Sequence, residues 1–140
     1  MKSIIPYFIL LLLGMQVFAQ TAKLRVKVTG YEELVGNLSI GLFSDPEGFP
    51  KKSANSVGVD IEILDTVVTY TFNELKDGVY ALAIFHDENG NGELDQNFLG
   101  MPTEDYVFSN YATGTFGPPS FEDAKFSLKD SLSVVLLLNK

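Results

Sequence analysis

A period of two constrains this chain more than any other feature. From Lys23 to Val28, the apolar Leu24, Val26 and Val28 alternate with Lys23, Arg25 and Lys27. Successive side chains of an extended strand point to opposite faces, so this pattern describes a strand with one face on a core and the other in water. Leu38, Ile40 and Leu42 repeat the alternation against Ser39, Gly41 and Phe43. Val59, Ile61 and Ile63 do so against Asp60 and Glu62, and Val68, Tyr70 and Phe72 against Thr69 and Thr71. The last two runs are parted by Asp65 and Thr66 and read as neighbouring strands of a hairpin. Val79 to Phe85 is apolar throughout, as in a central strand covered on both faces, and Leu132 to Leu138 supplies a last core strand. No long segment combines a helical period with capping signals. The expectation is an all-β fold: an antiparallel β-sandwich of about seven strands, immunoglobulin-like or transthyretin-like.

The first 19 residues stand apart. Lys2 precedes an apolar stretch from Ile4 to Leu13, broken only at Pro6, and Val17-Phe18-Ala19 then offers a small-residue cleavage site before Gln20. That is the anatomy of a secretory signal peptide, and the stretch falls short of the roughly 20 apolar residues that span a bilayer. Residues 1–19 are therefore expected to be removed, leaving 20–140 as one domain. No Cys follows the leader to carry a lipid, so a soluble periplasmic or extracellular protein is expected. Loss of Lys2 takes the formal charge from −8 to −9. Such a chain is a poor partner for nucleic acid, whose binding depends on Lys and Arg neutralising phosphates, and for an anionic membrane. Without Cys there are no disulfides, so stability must come from packing, with a metal as the remaining device.

The rhythm of strands breaks from His86 to Ala124, a segment rich in Gly, Pro, Asn and aromatic residues. Uninterrupted loops longer than about 15 residues are uncommon in compact domains unless they serve a function or are disordered. Disorder favours few aromatics, yet this one carries Phe98, Tyr106, Phe108, Tyr111, Phe116 and Phe121. An ordered excursion packed on the sandwich is expected over 86–124.

Its first part has the composition of a cation loop. Asp87, Asn89, Asn91 and Asp95 place side-chain oxygens at positions 1, 3, 5 and 9 of an EF-hand-type count, Gly92 falls at the turn position 6, and Glu93 offers its backbone carbonyl at position 7. Ca²⁺ takes six to eight oxygens, which alternate residues of a curled loop can aim inward. Position 12 departs from the pattern, because Phe98 stands where a bidentate Glu belongs. Water, or a carboxylate from Glu104, Asp105 or Asp123, would complete the shell. Two charged ligands balance a divalent ion and imply weak binding, about 10⁻⁴ to 10⁻³ M, as suits a structural ion. Zn²⁺ is disfavoured, since there is no Cys and His86 is the single His. The alternative is a metal-free turn, because Asn and Asp side chains also build Asx-turns unaided.

The run HDENGNGELDQNFLGMPTEDYVFSN (His86 to Asn110), the later GPPSFEDAKF (Gly117 to Phe126), and the upstream pattern Phe72, Leu75, Gly78, Tyr80 resemble the bacterial secreted family catalogued as domain of unknown function two-one-four-one. The resemblance covers nearly all of the chain after the leader. It implies a periplasmic or extracellular β-sandwich of Gram-negative bacteria and brings no activity with it.

Three function classes are open. Nucleophilic catalysis lacks a Cys and a Gly-x-Ser-x-Gly elbow, and a lone His86 at a strand end reads as a structural hydrogen-bond partner. Carboxylates for glycoside hydrolysis exist at Glu88, Glu93, Glu104 and Glu122, but no spacing singles out a pair. A binding module, for a glycan or an envelope protein, would use Tyr106, Phe108, Tyr111 and Phe116 as its surface. A purely structural envelope protein would bury those same rings.

Overall fold

A computed structural model describes residues 21–51 and 53–138. The expected leader and its cleavage site lie outside them. Among the described residues, no helix is long and apolar enough to cross a membrane.

Eight strands among the described residues form two packed sheets. The smaller sheet contains β1 (Ala22–Thr29), β4 (Val67–Leu75) and β8 (Ser131–Leu137) in the order β4-β1-β8. The larger runs β3 (Ser56–Glu62), β2 (Asn37–Phe43), β5 (Gly78–Asp87), β6 (Tyr106–Phe108), with β7 (Phe126–Leu128) also paired to β5. Every pairing is antiparallel except β1 with β8, which is parallel. The chain is thus an all-β sandwich, and the alternating positions behave as the period of two demands. Leu24, Val26 and Val28 of β1 meet Leu38, Ile40 and Leu42 of β2 and Leu82 and Ile84 of β5 in one core between the sheets.

One strand placement differs from expectation. The runs around Ile61 and Tyr70 do not form a hairpin: β3 pairs with β2, whereas β4 pairs with β1 in the other sheet. Ile63, buried just past β3, marks the crossing; sequence proximity alone does not distinguish a four-residue turn from a change of layer. The C-terminal run feeds the core as expected, from the edge of its sheet, with Leu136 and Leu138 buried and Val135 and Leu137 exposed.

Strand β5 is central, as its unbroken apolar sequence requires. Tyr80, Leu82 and Ile84 enter the core between the sheets, while Ala81 joins a second cluster with Phe43, Phe108, Phe121 and Ala124 on the opposite face. Phe49 knits this cluster together, its ring 5.1 Å from that of Phe43 and 5.9 Å from those of Phe108 and Phe121. The excursion from His86 to Ala124 is therefore ordered. It leaves the end of β5, returns as β6, makes a 3-10 turn (Ser109–Tyr111) and a one-turn helix α1 (Phe121–Ala124), and delivers β7.

On its outer edge β5 pairs with β7 through Gly78–Tyr80 and with β6 through Ala83–Phe85, which leaves a gap in the ladder. Ser109, 1% exposed, fills it: its Oγ accepts from the Leu82 N–H at 2.9 Å and donates to the Ala124 carbonyl at 2.5 Å. One hydroxyl thus ties the 3-10 turn, α1 and the central strand together. Ser109→Ala strands a buried N–H and is expected to lower stability by about 2 kcal/mol. Urea unfolding measures the loss, with faster exchange of the Leu82 amide as its local sign, and an unshifted midpoint would mean that this amide finds another acceptor.

Candidate functional site

Strand β5 ends in two buried polar residues, His86 and Asp87. His86 places Nε2 2.7 Å from the Val35 carbonyl. A carbonyl only accepts, so Nε2 carries the hydrogen and His86 is the structural hydrogen-bond partner that its position suggests. Its Nδ1 is buried without a hydrogen bond, with the Glu88 carboxylate 3.9 Å away. Tyr31 stands edge-on to the His86 ring at 5.7 Å, and burial raises its phenol well above the ordinary pKa.

Asp87, 2% exposed, organises the turn that follows. Its Oδ1 accepts from the Asn91 N–H at 3.1 Å and its Oδ2 from the Gly92 N–H at 2.8 Å, so the chain curls around the carboxylate. Gly92 has φ 79°, and a Cβ there would meet nothing within 4 Å. The glycine is needed for the backbone angle, not for space. Two Asx-turns continue the curl, with Asn89 Oδ1 accepting from the Asn91 N–H and Asn91 Oδ1 from the Glu93 N–H. The amides of Asn89 and Asn91 then both donate to the Asp95 carboxylate, the Asn91 bond at 2.9 Å.

Of the predicted loop residues, Asp87, Asn89, Asn91 and Asp95 are thus joined in one side-chain and backbone network, and Glu93 enters it through its N–H. Among the described residues no group of three or more His, Cys, Asp or Glu side chains gathers as metal ligands would. The loop brings together a different set, two carboxylates and two amides. Each amide oxygen keeps a second lone pair, so the donor set is all oxygen and matches a hard cation in kind.

Of the three remote carboxylates considered, Glu104 reaches the loop. It is 4% exposed and bridges the loop's two ends, Oε1 accepting from the Glu88 N–H at 2.9 Å and Oε2 from the Asp95 N–H at 3.0 Å. Asp105 is buried next to it and receives the His86 N–H on its backbone carbonyl. Asp123 is remote, bonded to Ser120 at the start of α1. Gly36 closes the floor: at φ 68°, a Cβ on it would lie 2.2 Å from the Asp87 carbonyl oxygen.

Position 12 of the EF-hand count lacks a carboxylate because the chain has already turned away. Gln96 and Pro102 form a bridge, and Asn97 Oδ1 accepts from the Leu99 and Met101 N–H groups, so residues 96–102 make a hairpin tip. Phe98, at 95% exposure, projects from that tip with Leu99 and Met101. Nothing in the spacing of the acidic residues reveals this reversal, although Asn-x-x-Gly over Asn97–Gly100 is a turn signal in retrospect.

The four candidate ligand-binding aromatics divide. Phe108 is buried in the second cluster and Tyr106 is half-buried against it, so these two pin the excursion to the sandwich. Tyr111 is 54% exposed and Phe116 fully so. Tyr111 is held at φ 51°, beside Asn110 at 59°, a left-handed pair that is costly for a bulky residue. Its hydroxyl accepts the Leu137 N–H at 3.3 Å and so covers part of the open edge of β8.

The family model described as "uncharacterized protein conserved in bacteria (DUF2141)" matches residues 26–135. No curated protein and no solved structure matches the chain. Within the loop, the Glu104 bridge is the most exposed to test. Glu104→Ala leaves two backbone N–H groups without their acceptor and is expected to cost about 2 kcal/mol, with Glu104→Gln in between. Chemical denaturation measures the cost, and limited proteolysis between residues 88 and 103 should rise in step; equal resistance in parent and Glu104→Ala would show that the bridge does not hold the loop.

Proposed function

The chain belongs to this bacterial family, and from that premise we propose that it is an exported module of the cell envelope, periplasmic or extracellular, whose excursion takes a structural Ca²⁺ at Asp87, Asn89, Asn91, Glu93 and Asp95 and serves binding or accessory work there. Export is supported by the composition of residues 1–19. The cation is supported by one observation above others: the Asp87 carboxylate gathers the N–H groups of positions 5 and 6, while the side chains of positions 3 and 5 converge on Asp95. In such a loop, Asp87 and Asp95 would supply the balancing charge, Asn89 and Asn91 neutral oxygens, and Glu93 its carbonyl. The ion would replace amide donors as the neutraliser of Asp95.

A metal-free structural protein is the second reading, and the same contacts favour it. Asp87 and Asp95 already hold hydrogen-bond donors, so the loop closes without an ion. A carbohydrate-active enzyme has less support: Glu104 is committed to two backbone N–H groups and Glu122 pairs with Lys125. A binding surface draws support from the exposed Tyr111 and Phe116.

A thermal melt in Ca²⁺ against chelator separates the first two readings. At a hundred times its dissociation constant, Ca²⁺ adds about 2.7 kcal/mol and raises the melting temperature of the parent. Asp95→Asn abolishes that rise while leaving the melt in chelator nearly unchanged. Asp87→Ala lowers both melts, since it also frees two backbone N–H groups. Identical parent melts in the two buffers remove the metal from the account.

A further inference from the structure

The outward face of the three-stranded sheet has a character opposite to the rest of the chain. The sequence carries 18 acidic residues against 10 Lys and Arg, for a net charge of −8. Yet the central strand of this sheet presents Lys23, Arg25 and Lys27 outward, one after another, while Leu24, Val26 and Val28 enter the core. Alternate residues of a strand are about 6.8 Å apart, so the three cations form a line of about 14 Å.

Their cross-strand neighbours do not neutralise them. Lys23 lies beside Ser131, Arg25 between Thr71 and Ser133, and Lys27 between Thr69 and Val135. None of the three cations is in an ion pair among the described residues. Glu74, Asp77 and Asp130 fall at or past the Lys23 end of the pairing, and Glu32, Glu33 and Asp65 past the Lys27 end, so no carboxylate stands across from Arg25 or Lys27. Sheets ordinarily gain from opposite charges placed across strands, and this face, in a chain with carboxylates to spare, uses hydroxyls instead. A shallow depression of about 270 Å³ lies at its Lys23 end, lined by Lys23, Arg25, Thr71, Ser131, Leu132 and Ser133. Past Lys27 the face turns apolar at Val67, Val135 and Leu137.

We infer that this face binds an extended acidic polysaccharide, laid along β1 with its carboxylates or sulfates on Lys23, Arg25 and Lys27 and its hydroxyls on Thr69, Thr71, Ser131 and Ser133. Charge complementarity selects a polyanion, because the acidic remainder of the chain repels one everywhere else. The hydroxyl ladder suits a ligand with many hydroxyls of its own. Single-stranded nucleic acid fits less well, since it relies on aromatic rings for base stacking, and the rings of β4, Tyr70 and Phe72, pack toward the core. The site is independent of the cation loop, which lies on the other sheet.

The test uses the chain from residue 20 onward in chelator, so that no Ca²⁺ bridges protein and polymer. Polygalacturonate and heparin are the probes, with dextran, a single-stranded oligonucleotide and phosphatidylglycerol vesicles as comparators. Binding to at least one acidic polysaccharide, weakening as salt rises, is expected. Lys23→Glu/Arg25→Glu/Lys27→Glu should weaken it at least about tenfold, whereas Lys51→Glu/Lys76→Glu/Lys129→Glu, with the same net charge, should weaken it far less. Thr71→Ala/Ser133→Ala, which leaves the charge alone, should also lose affinity and covers the case in which the triple variant fails to fold. Equal loss in the two triple variants, binding no stronger than to dextran, or preference for oligonucleotide or vesicles would each overturn the proposal.

Discussion

The architecture depends on satisfying the outer edge of β5. That strand is buried on both faces, so each backbone group along its edge must find a partner or forfeit the cost of a lost hydrogen bond. Strands β6 and β7 supply partners at the two ends, and the Ser109 hydroxyl supplies the one between. All three come from the excursion or its exit. The long segment is therefore the missing edge of the larger sheet, and its aromatic residues Phe108 and Phe121 roof the face that the sandwich core leaves bare.

The same requirement shapes the polar loop. For β6 to reach β5, the chain must leave Asp87, reverse, and return at Asp105, whose carbonyl receives the His86 N–H. Buried carboxylates at both margins make that reversal tight. Asp87 curls the outgoing turn, and Glu104 clips its two ends together. Both are acceptors of backbone N–H groups, which is the service a carboxylate performs when it is withdrawn from water without a cationic side chain beside it. The turn is shaped by its own hydrogen bonds.

Charge is divided between the sheets. Six of the eight acidic residues of the excursion, Asp87, Glu88, Glu93, Asp95, Glu104 and Asp105, lie in the loop between β5 and β6 or at its margins in the larger sheet, and the Lys23, Arg25 and Lys27 row occupies the smaller one. A single net charge of −8 hides this polarity.

Alternation and short apolar runs in the sequence marked six of the eight described strands and much of the core, because such patterns are local properties that packing only ratifies: Leu24, Val26, Val28, Leu38, Ile40 and Leu42 needed no tertiary information, whereas β6 and β7, three residues each, are too short to carry a period. The Asp87 to Asp95 turn was legible for the same reason, its Asx contacts spanning only a few residues. Partnership across the chain was decided by the tertiary structure alone. Pairing register carries no local signature, so the separation of β3 from β4, the parallel entry of β8, and the meeting of Ser109 with Leu82 follow from which edges remained unsatisfied once the core had formed. Burial sorted the aromatics likewise, sending Phe108 inward and leaving Phe116 in water, since a ring's fate depends on the surface it lands against and not on its neighbours in sequence.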